Sequence, residues 1–338
     1  MRPAADAQSF ALVAVAPGDE FGNGALIASL PRVISRAGEA FAFHSLEFVT
    51  ARIANPNTRA AYGRAIVEFC SWCEDHGLSL PALSSPIVAA YFHELGTRLS
   101  ASSTNQHLSA VRQWLEWLTR SGALRVNPAA SVRGTRISRD AGKTPVLERE
   151  EARRLFASLE RPNGLIARRD RAILAVMLYD FVRVGALVRM RVRDFQVHDD
   201  AAWLVLREKG GKERRLPAHH LVRDYVLAYL YGAGLNGREH AKTPLFQSAP
   251  GRAKALSGKP LDRSAVLGIV KRRCRSVGLP ASICNHSFRA TGITLHQENG
   301  GDIEAAARLA GHADTRTTQL YNRSRRRISS LEVERVHI

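Results

Sequence analysis

The chain has 338 residues, more than one hydrophobic core usually serves, so two domains are expected. Its 49 Lys and Arg against 31 Asp and Glu leave a formal charge of +18, which calls for a polyanionic partner, nucleic acid above all. The four cysteines are too few for a disulfide framework and no run reaches the roughly eighteen apolar residues of a membrane span, which excludes a disulfide-stapled fold and a helical membrane protein. The first residues lack the basic start of a signal peptide, so the expected location is the cytoplasm, at the nucleoid.

Residues 1–42 are rich in Ala, Gly and Pro with balanced charge, and read as a mostly irregular arm with a short helix near 25–30 and no chemistry. Residues 43–128 read as a helical domain. A helix over 46–53 is followed by three with start and stop signals: Asn57-Thr58 before 59–73, closed at Gly77; Ser84-Ser85-Pro86 before 87–95, closed at Gly96; and 102–104 before 107–119, closed at Gly122. Tyr62, Ile66, Phe69, Cys70 and Cys73 form one apolar stripe, and Leu108, Val111, Leu115 and Leu118 another. Cys70 and Cys73 form a C-x-x-C inside a helical pattern with no second pair, which reads as core packing rather than zinc or redox chemistry. Arg52, Arg59, Arg64, Arg98, Arg112 and Arg120 lie off these stripes. Any one such residue is ordinarily just solvated, but the set is a candidate phosphate-contacting face.

A basic stretch at 125–144, without apolar period and with its linker assigned to 129–144, includes Arg136 as a further candidate DNA contact. The second domain, 145–322, opens with a helix over 148–159. Ile173, Leu174, Met177, Leu178 and Phe181 then mark a buried helical face that leaves Arg183 at the end of an apolar run, where an unpaired charge is costly. Residues 203–206 and 214–216 read as the strands of a hairpin whose turn, 208–212, carries Lys209 and Lys212. A helix over 221–230 and a long connection around Leu245-Phe246 lead to a basic helix over 264–278. There Lys271 and Arg272 are candidate backbone contacts, although such a run is usually a solvated face. Next, His286 and Arg289 stand at i and i+3 on one face of a helix over 285–295. The apolar run 303–309 ends at Gly311, which puts His312 on a helix end. Thr315, Thr317 and Thr318 break helical periodicity before Tyr321, which is expected on a separate short element. The expected fold class is mainly α with a small β-hairpin or sheet (α+β).

The ordered set Arg183, Lys209, His286-Ser287-Phe288-Arg289, Gly311-His312 and Tyr321, nine residues past His312, resembles the pattern of tyrosine recombinases of the phage-integrase family. That family includes mobile-element integrases and chromosome-dimer-resolving recombinases, and the resemblance covers residues 48–321. It implies a helical core-binding domain over 43–128, a catalytic domain over 145–322, and site-specific recombination through a 3′-phosphotyrosyl intermediate without metal, ATP or other cofactor. It further implies four protomers acting on two duplex DNA sites, with accessory DNA-bending or directionality proteins as candidate partners. The tail, 323–338, carries Ile328, Leu331, Val333 and Val336 and reads as either a segment that packs on a neighbour or an intramolecular helix.

The chemistry of the side chains fits that pattern. A phosphodiester repels nucleophiles and gathers charge in its transition state, and the planar forks of Arg183 and Arg289 suit its non-bridging oxygens. The Tyr321 phenol, with an ordinary pKa near 10, needs help to attack. His286 is the candidate to accept or share its proton, His312 to hydrogen-bond a phosphate oxygen, and Lys209 to protonate the departing oxygen. Two positions depart from the family pattern. Ala186 stands where many relatives carry an acidic residue, leaving Asp180 or Asp194 to orient Arg183, and Ala290 follows Arg289 in place of a frequent His. The competing readings are a type IB topoisomerase, an inactive DNA-binding regulator, and a zinc nuclease using Cys284, His286, His296 and His312, whose spacing fits no zinc pattern.

Overall fold

Asn55 and Ser100 start the two 20-residue helices on which the N-terminal unit is built. The computed structural model describes residues 30–136, 144–160, 164–207, 213–249, 255–312 and 315–319, and the chain divides into two units at Ser138 and Arg139. In the first unit, α1 (Arg32–Arg36) and α2 (Glu39–Glu47) lead through a π-helical turn at Phe48–Arg52 into α3 (Pro56–Asp75), α4 (Ser85–Arg98) and α5 (Ala101–Arg120). The Asn55 side chain accepts the N–H groups of Asn57 and Thr58 at 2.9 and 3.3 Å, with Pro56 at the first helical position. The cap is therefore Asn55, two residues before the expected signal. Likewise α4 runs through Gly96 to Arg98. The two apolar stripes meet in one core: Ile66, Phe69, Cys70 and Cys73 of α3 are buried with Leu108, Val111, Leu115 and Leu118 of α5. Burial pushes the Cys73 thiol up to about 12 and Cys70 well above the thiol range, so neither is a reactive thiolate.

Two expectations about this unit are corrected. Residues 30–42 are not a mostly irregular arm, because Leu30, Val33, Ile34, Phe41 and Ala42 belong to the same core and the Val33 N–H donates to Glu74 at 2.8 Å. Nor does residue 125 begin a linker. Leu124, Ala129 and Val132 are buried in the core, and the Asn105 side-chain amide accepts the Thr135 N–H and donates to its carbonyl at 2.9 and 2.8 Å. The packed segment reaches Arg136, and the remainder of the expected linker, 137–143, lies outside the described residues.

In the second unit α6 (Arg149–Glu160) and α7 (Leu165–Tyr179) precede the one-turn α8 (Val184–Leu187). A three-stranded antiparallel sheet follows, β1 (Phe195–His198), β2 (Ala201–Arg207) and β3 (Glu213–Pro217), in that order. Leu204 pairs with Phe195 on one side and Leu216 on the other, so one face of the sheet is apolar. The sequence reading missed β1, whose Phe-Gln-Val-His alternates apolar and polar residues but runs for only four, the short limit of a strand signal. Then come α9 (His220–Ala233), α10 (Arg263–Arg275), α11 (Asn285–Glu298), α12 (Ile303–Ala310) and α13 (Thr315–Gln319). Ile173, Leu174, Met177 and Leu178 of α7 form a core with Val222, Val226 and Tyr229 of α9, the apolar sheet face and the island Leu245-Phe246. The three threonines do not prevent a helix at 315–319; Thr318 is buried and tied to His312, so tertiary contact overrides local preference. The hairpin turn with Lys209 and Lys212, and the C-terminal segment from 320 with Tyr321, lie outside the described residues.

Candidate active site

The C-terminal end of α12 is where the site assembles. The last carbonyls of a helix have no intrahelical partner and carry the negative end of its dipole, which favours cationic donors. Here three arginines from separate elements take four consecutive ones. Arg214 Nη1, from β3, donates to the Arg308 and Leu309 carbonyls at 3.1 and 2.7 Å. Arg289 Nη2, from α11, donates to Ala310 at 2.5 Å. Arg183, leading into α8, donates to Ala310 and Gly311 at 3.3 Å. Gly311 turns left-handed at φ 60° and ends the helix, as its place in the sequence predicts.

Arg289 is only 1% exposed, and its other Nη donates to the Phe181 carbonyl. Its Nη2 also lies 2.7 Å from His312 Nε2, while His312 Nδ1 lies 2.7 Å from Thr318 Oγ1. A guanidinium only donates, so Nε2 accepts, the ring proton sits on Nδ1, and Thr318 Oγ1 receives it. The electrostatics agree: burial first, then Arg289, Arg183, His286 and Arg214, lower the His312 pKa to about 4. The ring is neutral near pH 7. In this arrangement it has no N–H to offer a phosphate oxygen, so the expected donor role would require the Arg289 contact to open. His286, in the first turn of α11, is also lowered, by burial and then by Arg289 and Arg183, which leaves a neutral imidazole able to accept a proton.

Neither acidic residue expected to orient Arg183 does so. Asp180 is buried, its carboxyl accepts the His219 N–H at 2.9 Å, and burial pushes it up to about 7. Asp194 instead takes Arg207 at 2.7 Å and the Arg191 N–H at 2.8 Å. With Ala186 at the acidic position, the α12 carbonyls orient Arg183. Arg214 was missed in the sequence, yet a signal was present. Leu216 marks the inward face of β3, and Arg214, two residues earlier, shares that face.

Residues 145–327 match the phage integrase family, and 48–122 match the phage integrase N-terminal SAM-like domain. The chain belongs to the phage integrase family of tyrosine recombinases. It is 30% identical over 291 residues to tyrosine recombinase XerD of Caulobacter vibrioides, covering 84% of this chain and 92% of that one. To XerC of Xanthomonas campestris pv. campestris it is 30% identical, covering 80% and 79%. In fold it is similar to the XerH recombinase bound to a palindromic difH substrate, with a TM-score of 0.66 at 15% identity, covering 94% and 91% of the two chains. A lambda integrase dimer bound to a COC′ core site gives 0.64 at 17%, covering 95% and 85%.

In this phage-integrase chain several candidate DNA contacts also bond backbone carbonyls of the fold. Arg59 donates to the Ile53 carbonyl at 2.9 and 3.1 Å and to Thr50 at 3.3 Å. Arg112 donates to the carbonyls of Ala129, at 3.0 Å, and Val132. Lys271 caps the Ile283 carbonyl at 2.7 Å and that of Ala281. Each of these cations ties down a turn that supplies too few local hydrogen bonds. Arg64 and Arg136 are exposed, Arg52 lies over the Trp117 ring at 5.9 Å, and Arg272 keeps 58% of its side chain exposed. As for the zinc reading, among the described residues no three His, Cys, Asp or Glu side chains group to hold a metal, and Cys284 serves as the N-cap of α11.

Proposed function

We propose that this phage-integrase protein is a site-specific recombinase that breaks a DNA strand by transferring a backbone phosphate to Tyr321 and restores it by the reverse transfer. The observation that carries the reading is the gathering of Arg183, Arg289 and Arg214 on the end of α12, beside two imidazoles held neutral. Backbone carbonyls orient guanidiniums without cancelling their charge, and such preorganised donors are each worth roughly 3–4 kcal/mol of transition-state stabilisation. The Tyr321 oxygen attacks phosphorus as its proton passes to His286. The P–O5′ bond breaks, and the departing 5′ oxygen takes a proton from Lys209. Arg183 and Arg289 hold the non-bridging oxygens throughout. The products are a 3′-phosphotyrosine and a 5′-hydroxyl, and the 5′-hydroxyl of a partner strand displaces the tyrosine in turn, so no phosphate ester is hydrolysed.

The chain reaches Tyr321 three residues after Thr318, the partner of His312. A lambda integrase tetramer bound to a Holliday junction is among the similar folds, and four protomers on two sites is the assembly proposed for this chain. Among the described residues no helix is long and apolar enough to cross a membrane, and the proposed site of action is the cytoplasmic DNA. Tyr321→Phe tests the assignment. It should bind duplex DNA as tightly as the parent and form no adduct that survives denaturant, whereas a covalent complex from that variant would refute it.

A further inference from the structure

Among the described residues Phe181 and Asp199 alone combine a side chain with a positive φ, 52° and 50°. Asp199 lies in the exposed turn between β1 and β2, where a short polar residue tolerates this conformation. Phe181 is different. A bulky aromatic residue in the left-handed region is costly and persists only where its surroundings hold it. It lies between the end of α7 and Arg183, and its carbonyl receives Arg289 Nη1. Its ring packs in a small cluster with Ala290 and Ile293 of α11 and Ala306 and Ala310 of α12, the helix whose terminus anchors the arginines. Gly292 makes room for it, since a Cβ there would stand 2.7 Å from the ring and 1.9 Å from the Leu178 carbonyl oxygen. On the other flank the buried Asp180 carboxyl fastens the turn to the His219 N–H at 2.9 Å.

We infer that Phe181 is a positioning residue for strand cleavage: its left-handed backbone aims its own carbonyl at Arg289 and turns the chain so that Arg183, two residues on, meets the same helix end. The ring, wedged at Gly292, is the lock that keeps this costly conformation populated. A glycine would adopt the turn without the lock, and an alanine would keep the backbone cost with nothing to offset it. The inference rests on the recombinase reading above, in which the two arginines clamp the phosphate.

A double-mutant cycle in the full chain tests it, reading the single-turnover cleavage rate on a nicked duplex together with DNA affinity and the melting curve. Phe181→Ala should slow cleavage at least about tenfold with affinity unchanged, and Phe181→Leu, which restores an apolar wedge, should recover it to within about threefold. In an Arg289→Lys background, Phe181→Ala should cost clearly less than its roughly tenfold in the parent, because one of the two groups it positions is already impaired. Multiplicative losses, or a Phe181→Ala enzyme that cleaves like the parent, would overturn the inference. If Phe181→Ala does not fold, Phe181→Gly, free of the backbone penalty, is expected to show the same loss and the same coupling, and its absence counts against the proposal equally. Should Arg289→Lys alone leave cleavage intact, the failure belongs to the recombinase reading of the site, not to the role of Phe181.

Discussion

Arg169, Arg272 and Arg273 surround the Asp170 carboxylate, whereas Arg183, Arg214 and Arg289 converge on the carbonyls that end α12. At the first cluster, Asp170 is fully buried; one oxygen accepts Arg169 at 2.8 Å, and the other accepts Arg273 at 2.7 Å and Arg272 at 3.3 Å. The pairing joins α7 to α10, and Arg169 reaches on to the Gln247 carbonyl at 2.8 Å. At the second cluster the acceptors are peptide dipoles, which fix the direction of a guanidinium while leaving its full charge to act on whatever comes near. The lowered His312 and His286 are the visible result, since Arg289 and Arg183 contribute to both shifts after burial itself. A carboxylate at the centre of a cluster cancels much of its charge, while carbonyls leave the charge free to act, as the proposed phosphate clamp requires.

That contrast can be broken by experiment. The largest effect is expected at Asp170: Asp170→Ala leaves the buried Arg169 guanidinium without its counter-charge and should cost roughly 3–5 kcal/mol of stability by denaturant titration, with cleavage per folded molecule preserved. A variant that melts like the parent would show that the carboxylate does not hold the fold. Arg183→Lys should do the opposite. It keeps the charge and loses the fork, so cleavage should fall about 10²–10³-fold while the melting curve moves little. A loss confined to stability would place Arg183 with the structural arginines.

The smallest effect concerns His312. Its folded pKa of about 4 lies below the ordinary value near 6.5, so in that interval the unfolded chain binds more protons than the folded one. The stability it contributes is therefore complete above about pH 6.5 and is lost as pH falls toward 4. His312→Gln should flatten that slope, and Arg214→Met, which removes one of the charges acting on the ring, should raise the His312 midpoint seen by NMR. An unmoved midpoint would separate Arg214 from the site.

Several elements were legible in the sequence because their causes are local. The stripes on α3 and α5 follow the helical period, Gly311 sits where the chain must turn left-handed, and the order Arg183, His286, Arg289, His312 can be read along the chain. Short pieces were not legible. Residues 30–42 and 124–132 contribute one or two apolar side chains at a time, too few to show a period, and their burial depends on helices elsewhere in the chain.

What the sequence alone determined is which groups this protein possesses and which family pattern they form. Only the tertiary structure decided what each arginine is bonded to. Arg214 meets a carbonyl 94 residues away and Arg289 one 108 residues away, while Arg112 and Lys271, no less basic, tie down turns. A guanidinium has the same five donors wherever it stands, and its role follows from the acceptors that folding brings within about 3 Å, which nothing in the neighbouring residues encodes.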